Sequence, residues 1–184
     1  MKVQGHGKAA PLTDEQFQQL LDAAPSPKYR CLWAVQRYTA ARVTEALNLR
    51  WMDVQGVVTY RKATTKTKST RQVPICPPLQ AELDRYAESL KGAHKGSEYL
   101  FHTDSSTTQP MTRQAAHQGL VGTCKRIGLQ GVSTHSFRRT CAQQMVAGGT
   151  ALHIVQAVTG HKSLGSLGEY LSASESDVLA ALPV

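Results

Sequence analysis

Hydrophobic positions recur three or four residues apart along much of this chain, the spacing of helices that bury one face. A capping-box pattern from Thr13 to Gln16 precedes the first such run, and Pro27 stands where the second begins, since proline fits the first turn of a helix. A third, short helix is predicted over Val43 to Leu49. Later helices are predicted over Pro77 to Leu90, Thr112 to Ile127, His135 to Ala147 and Ala151 to Val158, with short pieces around Tyr170 and over Glu175 to Leu182.

The pattern changes to the two-residue alternation of strands at Val57 to Tyr60 and at Arg71 to Ile75. The Thr-, Lys- and Ser-rich segment Lys62 to Thr70 joins them as a hairpin. We predict a third strand over Tyr99 to Phe101 and a polar loop over Thr103 to Gln109. The expected fold is therefore α+β: a predominantly helical single domain with a small three-stranded antiparallel sheet.

Composition favours one compact domain with a preference for polyanions. A length of 184 residues suits a single hydrophobic core. Lysine and arginine number 21 against 13 acidic residues, which gives a formal charge of +8 and a pI ≈ 9.5. Phosphate contacts with such a surface release counterions and so favour nucleic acid. A basic protein that is merely soluble is the alternative.

The cysteines and the N-terminal residues bear on the compartment. None of the four cysteines has CxxC or Cys/His ligand spacing, so reduced thiols are expected at Cys31, Cys76, Cys124 and Cys141. No apolar run is long enough to span a membrane, and Met1 to Ala10 lacks the apolar segment of a signal peptide. We expect a cytoplasmic protein.

Candidate chemistry is clearest at Thr134 to Arg139. His135 and Arg138 are three residues apart and share one helix face. An arginine there can grip phosphate oxygens with two donors while the histidine moves a proton. Arg139 points about a quarter-turn away and is assigned to DNA contact. The six aspartates form no metal-binding motif, so we expect no metal and no cofactor; the alternative reading is a basic helix that faces solvent.

Two further cationic segments can serve the same phosphate. Arg42 stands where one predicted helix ends and the next begins, and Glu45 can orient it; the alternative is a weak surface ion pair. The hairpin turn carries Lys66, which can protonate a departing 5′-oxygen. The other cations of the hairpin are expected to contact the DNA backbone: Lys62, Lys68 and Arg71.

The C-terminal part adds His161 and, nine residues later, Tyr170. A Gly-His turn usually only ends a helix, and a tyrosine near a terminus usually packs. Their order after the cationic segments favours a shared site instead. Gly165 and Gly168 are expected to make the segment before the tyrosine flexible, and Lys162 is assigned to DNA contact.

Together these residues resemble the tyrosine recombinase family, which includes phage integrases and Xer-type recombinases. The resemblance runs from about Thr13 to Leu171. The similar blocks stand here as Arg42 with Glu45, Lys66 eight residues before Pro74 in an Arg-x-Val-Pro strand, His135 to Arg138, Thr159-Gly160-His161, and Tyr170.

The resemblance implies the DNA breaking–rejoining fold and a site-specific recombinase or integrase that acts on double-stranded DNA without metal or ATP. Tyr170 would attack the scissile phosphate and form a 3′-phosphotyrosyl link. Lys66 would protonate the leaving oxygen, and His135 would assist proton transfer at the tyrosine. Three side chains would stabilise the phosphate: Arg42, Arg138 and His161. The resemblance also implies a homotetramer in the synaptic complex, a monomer when free, and association with the nucleoid.

Departures from the family pattern leave some questions open. Thr159 stands where leucine usually precedes Gly-His, a mild change in an apolar position, and Ser163 to Gly168 lacks a threonine that many relatives carry.

We expect a flexible tail (1–12), a catalytic domain (13–171) and a tail (172–184) that docks on a neighbouring subunit. Nothing before Thr13 supplies the helical clamp of relatives, so an isolated catalytic domain and a minimal member are both open. A type IB topoisomerase-like enzyme and a catalytically silent DNA-binding regulator are the alternative functions.

Overall fold

The computed structural model describes residues 9–65, 68–91, 97–168, 171 and 179. The helices in this part of the chain are α1 (Asp14–Asp22), α2 (Pro27–Thr39), α3 (Val43–Leu47), α4 (Pro77–Ser89), α5 (Arg113–Arg126), α6 (Thr134–Ala147), α7 (Leu152–Thr159) and α8 (Leu164–Gly168). The strands in it are β1 (Val54–Gln55), β2 (Val57–Tyr60), β3 (Arg71–Pro74), β4 (His102–Thr103) and β5 (Ser106–Pro110). The α+β class with a small antiparallel sheet is confirmed.

Helix α2 lies at the centre of the fold. Pro27 opens it, as predicted, and most of its residues are buried. It packs against both α4 and α6. Its apolar side chains, among them Leu32, Trp33 and Val35, belong to a core cluster that reaches Phe137 on α6. Helix α6, which carries three predicted site residues, is therefore held directly on the core.

The sheet has the antiparallel order β1-β2-β3. In the β2–β3 hairpin, Val58 lies opposite Val73 and Tyr60 lies opposite Arg71. The inward positions of β3 are Arg71 and Val73, because side chains alternate between the two faces of a strand. An arginine is thus directed into the molecule at the start of β3.

The predicted third strand over Tyr99 to Phe101 is wrong. The third strand is β1, which pairs with the free edge of β2. Leu100 and Phe101 are fully buried in the core, and Tyr99 forms an isolated bridge with Arg50. The apolar run was therefore a core segment, since a short buried run has the same composition in either role.

The predicted polar loop over Thr103 to Gln109 is also wrong, because this segment forms the β4–β5 hairpin. Thr103 pairs with Ser106, and its hydroxyl donates to the Ser106 carbonyl at 3.1 Å. Threonine favours extended backbone. In the turn of this hairpin, polar side chains form hydrogen bonds with backbone groups that would otherwise have no protein partner.

The C-terminal helices form a second, smaller apolar cluster. Leu167 on α8 is 1% exposed and packs with Ala142 on α6 and Val155 on α7. Gly165 and Gly168, which were expected to make the segment before Tyr170 flexible, both lie in α8. The predicted helical piece around Tyr170 lies outside the described residues, and so does the predicted tail helix except for Leu179.

The chain segment before α1 is anchored on the body of the protein. The Ala10 N–H donates to the Gly131 carbonyl at 3.0 Å, and the Leu12 N–H donates to Thr140 Oγ1 at 2.8 Å. Leu12 is buried. The end of the predicted tail (1–12) is thus attached to α6, while residues 1–8 lie outside the described part. Among the residues that the structure describes, no helix has both the length and the apolar character needed to cross a membrane.

Candidate active site

The turn between α2 and α3 positions the first predicted cation. Ala40 adopts the left-handed conformation, with φ 52°, and ends α2, so Arg42 becomes the N-cap of α3. Glu45 accepts a hydrogen bond from the Arg42 backbone N–H at 3.1 Å and another from Arg42 Nη1 at 2.8 Å. The Glu45 side chain is 2% exposed. These two hydrogen bonds agree with the orienting role predicted for Glu45, and the burial of Glu45 distinguishes the pair from a solvent-exposed ion pair.

Arg71 was predicted to contact DNA, but its guanidinium turns inward. Its Nη2 donates to Glu45 Oε2 at 3.1 Å, and its Nη1 donates to the Thr39 carbonyl at 2.9 Å and to the Val158 carbonyl. The guanidinium also lies 4.2 Å from the centre of the Tyr60 ring. The alternation of β3 explains this direction, and four internal partners account for the position of Arg71 without any DNA contact.

Arg138 is wholly buried at the base of the site. From α6 its Nη1 donates to the Ala40 carbonyl at 2.7 Å, and its Nη2 lies 3.0 Å from His161 Nε2. The carbonyls of Thr39 and Ala40 are consecutive, so one turn accepts from both Arg71 and Arg138. These bonds draw α6, β3 and the end of α7 onto the α2–α3 turn.

His161 follows the C-terminus of α7. Gly160, in the left-handed conformation with φ 67°, ends that helix and turns the chain back. The His161 Nδ1 then lies 2.8 Å from Thr159 Oγ1, and Gln156 Nε2 donates to the His161 carbonyl at 3.0 Å. The expectation that Thr159 is a mild change in an apolar position is wrong, because its hydroxyl is bonded to the histidine ring.

The surroundings of His161 disfavour its charged form. Burial is the largest cause, followed by the positive charges of Arg138, Arg42 and Arg71, and together they lower the pKa of His161 to about 3. The ring is therefore neutral at pH 7. Three guanidinium groups meet one uncharged imidazole here, an arrangement suited to an anion that spreads charge over several oxygens.

A groove opens beside this cluster, between the β2–β3 hairpin and the C-terminal end of α7. It encloses about 700 Å³, and its lining includes Ser69, Thr70, His153, Gln156, His161 and Lys162. Hydroxyl, amide and cationic groups dominate this set, as expected for a surface that meets a phosphate backbone.

The remaining predicted residues divide into three groups. All three lysines predicted to contact DNA are exposed: Lys62, Lys68 and Lys162. His135 is exposed in the first turn of α6, one turn before Arg138, whereas Arg139 is partly buried and its Nε has no acceptor among the described residues. Lys66 and Tyr170 lie outside the described residues.

Within the described part of the chain, no three His, Cys, Asp or Glu side chains gather into a possible metal site.

Two contacts of the site were not predicted from the sequence, and the residue pattern gave a signal for only one of them. The inward direction of Arg71 is implied by its two-residue spacing from the apolar Val73. The Thr159 hydroxyl gave no such signal, because its contact with His161 depends on the reversal at Gly160. The backbone carbonyls of the α2–α3 turn likewise cannot be identified as acceptors from side-chain patterns.

The fold and the cluster of cations place this chain among domains built to hold an anion, and comparison with known proteins identifies the family. The family model described as "Phage integrase family" matches residues 11–176. The chain therefore belongs to the phage integrase family. A probable integrase/recombinase, YoeC of Bacillus subtilis, is 27% identical over 146 residues, 79% of this chain and 78% of that protein.

Further relatives are Xer-type tyrosine recombinases. XerD of Corynebacterium glutamicum is 30% identical over 128 residues, and XerA of Pyrococcus furiosus is 28% identical over 165 residues. These matches cover 68% and 86% of this chain. The chain spans only 42% of that XerD and 56% of that XerA.

Solved structures share the fold at low sequence identity. A XerA recombinase crystal structure superposes with a TM-score of 0.80 at 21% identity, over 95% of this chain and 64% of that one. A lambda integrase dimer bound to a COC′ core site gives a TM-score of 0.71 at 20% identity, over 90% of this chain and 49% of that one. The described residues thus adopt the fold of tyrosine recombinase catalytic domains.

Proposed function

We propose that this chain is the catalytic part of a site-specific DNA recombinase or integrase, which cleaves and rejoins DNA strands through a 3′-phosphotyrosyl intermediate without metal or ATP. The meeting of Arg42, Arg138 and His161 beside one groove carries the proposal. Each of these side chains is held by a protein acceptor or donor within 3.1 Å. Family membership and the DNA-bound state of related structures support it.

Fixed positive charge is the chief contribution of the described residues to the reaction. Arg42, Arg71 and Arg138 bring three positive charges, and Glu45 brings one negative charge, so the cluster keeps a surplus that an incoming phosphate neutralises. Because these groups are already oriented, they need no rearrangement as charge develops on the non-bridging oxygens. Glu45 orients Arg42 and does not touch the phosphate.

At each step of the proposed reaction, one phosphorus–oxygen ester bond forms as another one breaks. The Tyr170 phenol oxygen attacks the phosphorus, its proton passes to His135, and the bond from phosphorus to the 5′-oxygen breaks. That oxygen takes a proton from Lys66 and leaves as a 5′-hydroxyl, while the 3′ end stays bonded to Tyr170. A 5′-hydroxyl from another strand then attacks the phosphotyrosine and reverses the chemistry, so neither ATP nor redox equivalents are consumed.

The partner is double-stranded DNA that carries specific recombination sites. Five side chains are assigned to its backbone on the basis of sequence: Lys62, Lys68, Arg71, Arg139 and Lys162. Of these, Arg71 is the weakest assignment because of its internal bonds. The protein acts in the cytoplasm on the nucleoid, as a monomer when free and as a homotetramer in the synaptic complex, in which residues 172–184 dock on a neighbouring subunit.

A Tyr170→Phe substitution tests the proposal, because it removes the attacking oxygen and leaves the cations in place. The substrate is a library of nicked duplexes with randomised attachment sites, in which loss of the short 5′-hydroxyl fragment traps the covalent complex. We expect the unsubstituted protein to yield adducts that sequencing resolves into a preferred site. The variant should yield none while binding DNA with nearly unchanged affinity.

Tyr99→Phe is the matched control, since it makes the same chemical change on a tyrosine away from the cation cluster. It should capture DNA at the unsubstituted rate. Adduct formation by Tyr170→Phe would refute the role of this tyrosine. Relaxation of supercoiled plasmid without a preferred site would indicate a type IB topoisomerase-like enzyme, and DNA binding without any adduct would indicate a silent regulator.

A further inference from the structure

His161 is held at both of its ring nitrogens. Nε2 lies 3.0 Å from Arg138 Nη2, and Nδ1 lies 2.8 Å from Thr159 Oγ1. His161 is 8% exposed, and Thr159 is fully buried. The ring orientation and the position of its proton are therefore decided by protein groups.

Counting donors assigns that proton. A guanidinium can only donate, so the Nε2 that faces Arg138 must offer its lone pair. A neutral imidazole then carries its hydrogen on Nδ1 and donates it to Thr159 Oγ1. The Thr159 hydroxyl hydrogen is directed in turn to the Val155 carbonyl, 2.7 Å away in the preceding turn of α7. Every contact in this series pairs one donor with one acceptor.

Charged groups face the ring from several elements. Arg138 approaches from α6, Arg42 from the α2–α3 turn and Arg71 from β3, while Glu45 is bonded to the last two. Two further groups share the groove: Lys162 on the following residue and His153 on α7. This cationic surplus, together with burial, lowers the pKa of His161 and keeps the ring neutral before DNA arrives.

A bound phosphate reverses that balance. An Nε2 with a lone pair cannot donate to a phosphate oxygen. In the imidazolium, Nε2 gives up the bond that it accepts from Arg138 and donates to the phosphate beside the guanidinium, while Nδ1 donates to Thr159. The negative charge of the phosphate offsets the arginines and favours the charged ring. One proton is then taken from solvent to Nε2, while Thr159 Oγ1 keeps the hydrogen bond that it already accepts from Nδ1.

We propose that Thr159 is a positioning residue: Arg138 fixes His161 as the Nδ1–H tautomer in the DNA-free protein, the Thr159 hydroxyl accepts that hydrogen and holds the ring, and it supports the imidazolium form when phosphate binds. DNA binding is thereby coupled to uptake of one proton at Nε2. The second part of this inference rests on the proposed function. A leucine at this position, usual in the resemblance noted above, has no hydroxyl to accept from Nδ1.

The tautomer is measured on the DNA-free protein by long-range ¹H–¹⁵N correlation NMR of the histidine rings. We expect His161 to show a protonated Nδ1 and an unprotonated Nε2. In Thr159→Val, which keeps the shape and removes the hydroxyl, the ¹Hδ1 and ¹⁵Nδ1 shifts of His161 should change because Nδ1–H loses its acceptor, and Thr159→Ser should restore them. An Nε2–H tautomer in the unsubstituted protein would overturn the inference, and so would unchanged shifts in a folded Thr159→Val protein.

Proton uptake is tested by single-turnover covalent capture on the nicked duplex across pH 5.5–9. The rate should fall as pH rises through the pKa of the DNA-bound His161. In Thr159→Val this limb should move to lower pH by about one unit, which makes capture about tenfold slower on the alkaline side and nearly unchanged on the acid side. Thr159→Ser should return the limb to its original position.

Thr140→Val is the matched control, because Thr140 is another buried threonine whose hydroxyl donates to a carbonyl one turn earlier, at 2.8 Å. Its pH profile should keep the position of the limb. A uniform loss of rate at every pH in Thr159→Val would mean that Thr159 only stabilises the fold. Absence of any adduct with unsubstituted protein would instead count against the proposed function, and the NMR result would still decide the tautomer.

Discussion

Glu45 forms ion pairs with two arginines, so a change in either arginine also affects the position of the other. Its carboxylate is bonded to Arg42 at 2.8 Å and to Arg71 at 3.1 Å. Arg42 is the predicted phosphate ligand, whereas Arg71 also binds two backbone carbonyls. Arg71 in β3 therefore connects the hairpin, through Glu45, to the predicted phosphate ligand Arg42.

Arg71→Lys should destabilise the fold because a single ammonium group cannot reach Glu45 and both carbonyls simultaneously. We expect a loss of about 2–4 kcal/mol in the free energy of unfolding, within the range for broken buried ion pairs. Urea denaturation measures it. Arg61→Lys, which alters a more exposed pair with Asp53, should cost less than about 1 kcal/mol. A stable Arg71→Lys protein with weakened DNA binding would favour the direct DNA contact predicted from sequence.

His161 should make stability depend on pH. Its pKa is about 3 in the folded protein and about 6.5 in an unfolded chain. Between these values the unfolded state binds more protons, so stability falls as pH drops from 6.5 toward 3, by at most about 1.4 kcal/mol per pH unit. His161→Asn should remove this component of the slope in urea unfolding between pH 4 and 6.5. His117→Asn, at an exposed position on α5, should retain it.

At the scale of elements, the end of α7 and the start of β3 are fitted closely together. A Cβ on Gly160 would lie 3.2 Å from both Cδ and Nε of Arg71. These atoms are in the middle of a side chain that is fixed at its far end, so they have little room to move. Gly160 is thus required by its positive φ and by this close approach.

Gly160→Ala should therefore cost more than the conformational strain alone. Gly128→Ala is the matched control, since its φ of +75° is similar and a Cβ there meets nothing within 4 Å. We expect a loss of about 1 kcal/mol in the free energy of unfolding for the control, and a clearly larger loss for Gly160→Ala. Equal losses in thermal unfolding would show that Arg71 yields easily to the added methyl group.

At the scale of the whole molecule, the formal charge is +8. Some of the cations behind it are buried in the site, and others are exposed to solvent. Arg71 and Arg138 are buried and organise the site. Lys62, Lys68 and Lys162 are exposed, and Lys162 lines the groove. Net charge alone therefore overstates how many cations are available to DNA.

Replacing those three lysines by glutamine should lower the salt dependence of DNA binding. Each lost phosphate contact reduces the slope of log K against log salt by ~0.9, so the triple variant should lose about 2.7. Fluorescence anisotropy of a labelled duplex over a series of salt concentrations measures this slope. Arg85→Gln, on α4 and away from the predicted site residues, should leave it unchanged; an unaltered slope in the triple variant would place the DNA elsewhere.

Most helices and the central hairpin were predictable because their signals are local. The capping box at Thr13, the proline at Pro27 and the alternation in β2 act within a few residues. The errors arose where one composition suits two roles. Leu100 and Phe101 entered the core instead of a strand, and the polar residues after them formed a hairpin, because packing against distant segments made the choice.

By itself the sequence determined the identity and order of the candidate site residues, the periodicity of the helices, and the family pattern that links Arg42, His135, Arg138 and His161. Only the tertiary structure decided which atoms those side chains meet. Arg138 binds a carbonyl 98 residues away and Arg71 binds one 32 residues away. Such partners depend on how whole elements approach one another, and a donor buried by that approach must find its acceptor there. Periodicity along the chain therefore could not indicate that Arg71 is bonded to Glu45 inside the site or that the Thr159 hydroxyl contacts the His161 ring.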